Sequence, residues 1–193
     1  MDTSRRLSTL IDEADEVDRA VYRAVAGTST PQLDRAMRRL SEAANYSRLW
    51  IGSSVVLAAA GPRGRVAAGS GLAAIGATSA FVNLVVKPLG RRRRPDRGAE
   101  HVPATRHVGM PASRSFPSGH AASAAAFASA VGQVLPAAGV PLHTLAAVVA
   151  YSRVHTGVHY PGDVFAGALI GAVMADLTGE PVARCLTRSG RRA

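Results

Sequence analysis

The chain has 193 residues, room for one domain or one small helical bundle, and 47% of them are apolar. Its 23 basic side chains outnumber 13 acidic ones for a formal charge of +10, which selects anionic partners: phospholipid, phosphorylated substrate or nucleic acid. A single cysteine, Cys185, excludes an internal disulfide framework and a multi-cysteine metal site. Residues 1–30 hold acidic clusters and no compact apolar core, so no cleavable signal peptide is expected.

Residues 1–48 carry eight acidic and eight basic side chains, which cancel. Leu7, Leu10, Ile11, Ala14 and Val17 fall at helical spacing, as do Leu33, Ala36, Met37 and Leu40. Between them, Thr28-Ser29-Thr30-Pro31 reads as a helix start with proline at the first helical position. Two amphipathic helices are predicted, packed on a bundle or lying in a membrane interface, and neither can span. Residues 49–60 are apolar but short, and the turn Gly61-Pro62-Arg63-Gly64-Arg65 ends them. Residues 66–86 meet the spanning criterion at roughly 20 uncharged residues. Gly69, Gly71, Ala73, Ala74, Gly76 and Ala77 within them suit close helix packing in lipid. A long polar loop follows over 87–117. Further apolar helices are predicted over 121–135, where Pro136 stops the run, over 142–151, and over 164–177 before an arginine-rich tail.

A soluble helical bundle would show polar faces at 3.6-residue spacing. Residues 121–135 and 164–174 show almost none. The expectation is therefore an all-α integral membrane bundle, with about five spanning or near-spanning helices plus the N-terminal amphipathic ones. Residues 1–48 would be interfacial, 49–180 membrane-embedded, and 181–193 a basic tail.

Three polar clusters border the apolar segments. Lys87, the sole lysine, stands where 66–86 meets the most basic stretch, and Arg94-Pro95 follow it. Pro117-Ser118-Gly119-His120 precedes an apolar helix, so Ser118 reads as its N-cap. Backbone N–H groups at a helix start form a phosphate cradle, and Gly119 lets the backbone come close to a ligand. The third cluster is Ser152-Arg153 through His159 to Asp163. A nucleophilic histidine needs one free ring nitrogen and a tautomer fixed through the other, usually by a carboxylate. Asp163, four residues on at the start of the last helix, is the natural orienter, with Pro161-Gly162 turning the chain between them. Phosphoryl transfer is catalysed mainly by positioned cations, and Lys87, Arg94 and Arg153 supply one point charge and two planar forks.

Each feature has a plainer reading. Lys87 and the arginines at 91–94 could simply anchor a helix end among lipid headgroups. Asp163 could only cap its helix. His155 and His159 have the spacing of a helical metal pair, but Gly157 and Pro161 argue against a regular helix there and no third ligand is near, so no metal or other cofactor is expected. The arginine run lacks interleaved aromatics and is flanked by membrane segments, so nucleic acid is not the expected partner.

Taken in order, Lys87-x6-Arg94-Pro95, Pro117-Ser118-Gly119-His120 and Ser152-Arg153-x5-His159-x3-Asp163 resemble the three signature motifs of the type 2 phosphatidic acid phosphatase family. This superfamily contains lipid phosphate phosphatases and vanadium haloperoxidases. The flanking segments 115–124 and 151–161 resemble the phosphatase half of actinobacterial proteins that fuse this domain to a lipid kinase. The resemblance implies a metal-independent phosphohydrolase. His159 would form a phosphohistidine with Asp163 orienting it, and His120 would protonate the leaving group. Lys87, Arg94, Arg153, Ser118 and the Gly119 backbone would hold the phosphoryl oxygens.

A lipid phosphate substrate and membrane lipids are the expected partners; the lipid and the oligomeric state stay open. Phosphatidate, phosphatidylglycerol phosphate, polyprenyl diphosphate and a polyprenyl-phosphosugar all fit. The competing reading is a non-catalytic binder of anionic membrane surfaces on the same scaffold, against which the His159–Asp163 pair argues, because binding needs no nucleophile. Arg63 and Arg65 between the first two candidate spans, with Arg184, Arg188, Arg191 and Arg192 in the tail, put those segments on the cytoplasmic face. All three clusters then face the extracytoplasmic side of the plasma membrane.

Overall fold

In the computed structural model the described residues, 3–189, are helical between irregular connections. Helix α1 is Thr3–Ala26 and α2 is Pro31–Ala43, opened by proline as its sequence requires. A 3-10 turn, Asn45–Ser47, leads into α3, Arg48–Ala59. Helix α4, Pro62–Phe81, continues through a π-helical turn, Val82–Val86, into the single turn α5, Lys87–Leu89. Residues 90–118 are irregular apart from the 3-10 turn Ala104–Arg106. Helices α6, Gly119–Val134, α7, Pro136–His155, and α8, Pro161–Ser189, complete the bundle.

Helix α6 is the axis, packed on α4, α7 and α8. Its alanines at 121, 122, 124, 126, 128 and 130 are all buried. Small residues let the neighbouring backbones come near: a Cβ at Gly171 of α8 would lie 2.1 Å from the Ala122 carbonyl oxygen, and one at Gly71 of α4 would lie 2.7 Å from the Phe127 ring. Trp50 stacks obliquely on Phe127 at 5.3 Å and anchors α3 to the same core.

Two helical stretches, Pro62–Leu89 and Pro161–Thr187, are long and apolar enough to cross a membrane, at 28 and 27 residues. The longer covers roughly 40 Å at about 1.5 Å per residue, against a hydrocarbon core of about 30 Å. Only 33% and 28% of their most apolar windows are buried, whereas a soluble core helix would hide most of that surface. Leu84, Phe165, Leu169 and Leu177 stand outward and give the bundle an apolar belt for lipid.

Two expectations need correction. The helix expected over 142–151 runs Pro136–His155. Pro136 takes an opening position where its missing N–H costs nothing, and Pro141 sacrifices one further hydrogen bond that its neighbours outweigh. The last helix passes 177 and Pro181 and reaches Ser189. Polarity there marks where the helix can leave lipid, not where it ends, because alanine and arginine are good helix formers. Arg191 and Arg192 lie outside the described residues. Helix α1 turns its apolar stripe outward, which fits one of the two placements its sequence left open, with Leu10, Ile11 and Val17 about 60% exposed and Asp18, Tyr22 and Ala26 forming its buried face.

Gly171→Ala should lower the detergent unfolding midpoint, with an overpacking cost of about 1–3 kcal/mol. Gly76→Ala, where a Cβ meets nothing within 4 Å, should not. A thermal unfolding series on the purified protein measures both.

Candidate active site

The end of α7 is built to turn the chain sharply. Gly157 has φ +70° and its N–H donates to the Val154 carbonyl at 2.9 Å, while the Val158 N–H reaches back to the Arg153 carbonyl at 3.1 Å. This pair of bonds is a Schellman motif, which needs a left-handed residue at its centre. The His159 N–H shares the Arg153 carbonyl at 3.2 Å. The five residues between Arg153 and His159 thus fold into one compact turn that ties the two together. His155 ends α7, and its Nε2 lies 2.9 Å from Asp34 Oδ1.

The arginine run lies in the irregular segment after α5, where successive side chains alternate. Arg91 and Arg93 are exposed; Arg92 and Arg94 turn inward and are half-buried. Arg94 is held by the Ser113 and Val158 carbonyls, each at 2.8 Å, and its Nη1 lies 3.2 Å from His159 Nε2. A guanidinium can only donate, so Nε2 presents its lone pair and the ring proton sits on Nδ1. Asp163 Oδ2 lies 3.6 Å from Nδ1, facing it but beyond hydrogen-bond reach, and Nδ1 has no hydrogen-bond partner among the described residues. His159 itself is buried, and burial pushes its pKa down to about 4 although Asp163 pulls it upward. The ring is therefore neutral at pH 7.

Asp163 sits in the first turn of α8 with no exposure to solvent. Its Oδ2 accepts from Ser115 Oγ at 2.5 Å and from the Tyr160 N–H at 2.9 Å, and its Oδ1 accepts from Arg92 Nη1 at 3.0 Å. The carboxylate thus caps its helix as well as facing the imidazole. Pro161-Gly162 does not form the expected turn. Both belong to α8, and residues 156–160 make the reversal.

Ser118 caps α6 as expected, its Oγ accepting from the Ala121 N–H at 3.4 Å, and its own N–H donates to the Asp163 carbonyl at 2.8 Å. Lys87 Nζ and Arg94 Nη2 both donate to Ser113 Oγ, at 3.3 and 3.2 Å, so one hydroxyl joins the two cations. A Cβ at Gly119 would stand 3.8 Å from Lys87 Nζ, an ordinary contact, so packing alone does not demand glycine there. Arg153 is buried and bonded to the Ser41 hydroxyl of α2, with its Nε left without a partner. His120 Nε2 lies 2.8 Å from Asn45 Oδ1. Beside it opens a cavity of about 220 Å³ whose walls include Lys87, Gly119, His120, Trp50, Thr78 and Ser123.

All eight side chains or backbones singled out in the sequence converge on this end of the bundle. Sequence reasoning missed Ser41, Asn45, Arg92 and Ser113. Arg92 alone left a signal, as the residue sharing Arg94's phase in the alternation; the others depend on tertiary contacts from α2, the 3-10 turn and the long loop.

A membrane-embedded helical bundle, closed at one end over clustered cations and two histidines, is the class of protein that this fold and site define. The model of the PAP2 superfamily matches residues 68–179, and the chain belongs to that family. It is 37% identical over 152 residues to a decaprenylphosphoryl-5-phosphoribose phosphatase of Mycolicibacterium smegmatis, covering 77% of each chain. A protein of the same name from Mycobacterium tuberculosis is 42% identical over 94 residues, and the match spans only about half of that relative, 49%. A lipid A 1-phosphatase of Rhizobium etli is 36% identical over 107 residues, covering 54% of this chain and 46% of that one. Among solved structures, Aquifex aeolicus LpxE superposes with a TM-score of 0.66 at 25% identity, covering 82% of this chain and 92% of that one. A transmembrane PAP2-type phosphatidylglycerolphosphate phosphatase from Bacillus subtilis gives the same TM-score and identity over 86% and 84%.

In nitrogen-15 histidine spectra the resonance that His159→Ala removes should titrate near pH 4, against about 6.5 for an unperturbed histidine. The sign follows from burial: the charged ring is disfavoured, so the lone pair on Nε2 is lost only when pH falls through about 4. A midpoint at 6 or above would contradict a desolvated, neutral ring.

Proposed function

We propose that this protein is a membrane lipid phosphatase that hydrolyses a phosphate monoester or diphosphate of a lipid through a phosphohistidine. The observation that carries this reading is the His159 lone pair on Nε2, held within reach of Arg94 while Nδ1–H faces a buried carboxylate. Nε2 attacks phosphorus as the bond to the leaving oxygen breaks, and His120 gives that oxygen its proton. Burial and the nearby cations lower the His120 pKa to about 3, so it takes up that proton only when the substrate's phosphate charge offsets those cations. Water then attacks the phosphohistidine, His120 takes a proton from it, and phosphate leaves with Nε2 restored. Lys87, Arg94, Arg153 with its unpartnered Nε, Ser118 and the Gly119 N–H hold the phosphoryl oxygens. Asp163 stabilises the imidazolium character that develops, its long contact to Nδ1 shortening as charge builds, since such bonds tighten in substrate complexes. The cavity beside His120 receives the leaving group.

The names of the relatives set the substrate panel: a polyprenylphosphoryl phosphoribose, lipid A 1-phosphate and phosphatidylglycerol phosphate join phosphatidate and polyprenyl diphosphate. We also infer that the site faces the extracytoplasmic side of the plasma membrane. Arg63 and Arg65 stand at the end of α4 opposite Lys87, and the positive-inside rule assigns that end to the cytoplasm. The arginines at 91–94 break the rule on the other face, but Arg92 and Arg94 are engaged within the protein.

Phosphate release from the panel by detergent-purified protein should survive EDTA and be inhibited by vanadate; loss on EDTA with recovery on adding Mg²⁺ would overturn the metal-independent route. His159→Ala should abolish turnover, and His120→Ala should slow it on the order of 10²–10⁴-fold, less for a diphosphate with its better leaving group. Arg94→Ala should be severe and Arg91→Ala mild, as their opposite exposure requires. For topology, cysteines placed at Ala60 and Ala104 in a Cys185→Ser background should report opposite faces to an impermeant thiol reagent on intact cells. Labelling at position 60 alone would invert the assignment.

A further inference from the structure

The buried face of α1 points at the site. Asp18 Oδ2 lies 2.5 Å from Arg92 Nη1, and Asp15 Oδ1 lies 2.6 Å from Arg92 Nη2. The same Nη1 donates to Asp163 Oδ1 at 3.0 Å, and the guanidinium stacks 4.2 Å from the centre of the Tyr160 ring. Arg92 is the one hydrogen-bond partner that Oδ1 has among the described residues, whereas Oδ2 has Ser115 and the Tyr160 N–H. We infer that Arg92, braced by Asp15 and Asp18, is a positioning residue for Asp163, so that α1, outside the family match at 68–179, completes the active site. This rests on the reading of Asp163 as the group that orients His159.

Two independent features fit this role. Gly162 occupies the first turn of α8, where backbone N–H groups have no partner within the helix. Its N–H donates to Asp18 Oδ1 at 2.6 Å, and a Cβ there would come within 2.9 Å of Asp18 Oδ2. Glycine at 162 thus makes room for a carboxylate delivered by a helix more than 140 residues earlier in the chain. Tyr22, one turn along α1, packs edge-on against Tyr160 at 5.4 Å, and its hydroxyl would lie 2.9 Å from a Cβ at Gly157. Helix α1 is therefore seated on both sides of the turn that carries His159.

The charges explain why one arginine needs two braces. A guanidinium paired with Asp163 alone would draw the carboxylate's charge away from Nδ1–H. Asp15 and Asp18 offset Arg92, leaving Asp163 to act on the imidazole, while Asp15 also carries Arg19 at 2.7 Å. The Asp163 and Asp18 side chains are 0% and 9% exposed and that of Arg92 23%, so this link is far less screened than a surface ion pair.

The test compares Arg92→Ala, Arg92→Lys and Asp18→Asn with Arg93→Ala, which removes the same charge from an exposed neighbour. Arg92→Ala should lower kcat by about 10–100-fold, by analogy with the partners that orient metal-bound histidines, with KM little changed. Arg92→Lys and Asp18→Asn should lose less, and Arg93→Ala nothing. In an Asp163→Asn background, Arg92→Ala should add no further loss. Nitrogen-15 histidine spectra provide a readout that does not need turnover: His159 should hold its proton on Nδ1 in the wild type and in Arg93→Ala, and show mixed tautomers in Arg92→Ala and Asp18→Asn. If Arg92→Ala does not fold, Asp18→Asn decides by the same spectrum. An unchanged His159 tautomer, or a full additional loss in the Asp163→Asn background, overturns the inference. Absence of phosphate release from every substrate by the wild type would instead sink the phosphatase reading, while the spectra still decide whether Arg92 positions Asp163.

Discussion

A carboxylate without any solvent exposure governs how this end of the bundle is arranged. Ionised Asp163 can stay buried only if its oxygens are met by donors and positive charge. The fold brings those donors from three places: Ser115 from the long loop, the Tyr160 backbone from the α7–α8 turn, and Arg92 from the segment after α5. Each donor fixes a piece of chain that also bears a group of the proposed site. Satisfying one buried charge therefore aligns Arg94, Ser118 and His159 at the same time.

The approach of these pieces depends on small side chains. Ser118 can donate to the Asp163 carbonyl because α6 and α8 meet almost backbone to backbone, at Gly167 and Gly171 on one side and Ser118 and Ala122 on the other. In lipid, where apolar surface brings little driving force between helices, such close packing is a main source of cohesion. The alanine-rich interior of the bundle is thus part of the site's precision and not mere filler.

Helices α1 and α2 fasten the same end from the outside. Arg106, fully buried, is bonded to Asp34 of α2 and to the Val25 carbonyl of α1, while Asp34 also meets His155. Arg153 reaches Ser41 of α2, and Asn45 beyond α2 meets His120. The long loop and the polar N-terminal helices hold each other through buried ionic contacts, which a membrane-facing helix could not supply.

The sequence by itself determined the class of fold, the membrane setting and the identity of the clustered polar residues. Uninterrupted apolar runs cannot be hidden except in lipid or a core, and polar residues beside them can be seen without knowing the fold. It also determined the cap at Ser118 and the helix start at Pro31, because these are local backbone requirements, whereas the turn it placed at Pro161-Gly162 falls at 156–160. Helix ends at 136 and 189 were not legible: hydropathy reports contact with lipid, while helicity follows propensity and hydrogen bonding, and the two diverge at Pro136, Pro141 and Pro181. Only the tertiary structure decided which arginines of the 91–94 run turn inward, and that Asp15, Asp18, Ser41 and Asn45 reach the site. Those residues sit on, or just beyond, amphipathic helices whose sequence reads as a solvated face. A charged side chain becomes a structural partner only when a distant chain segment brings its counter-charge, and that juxtaposition has no local signature.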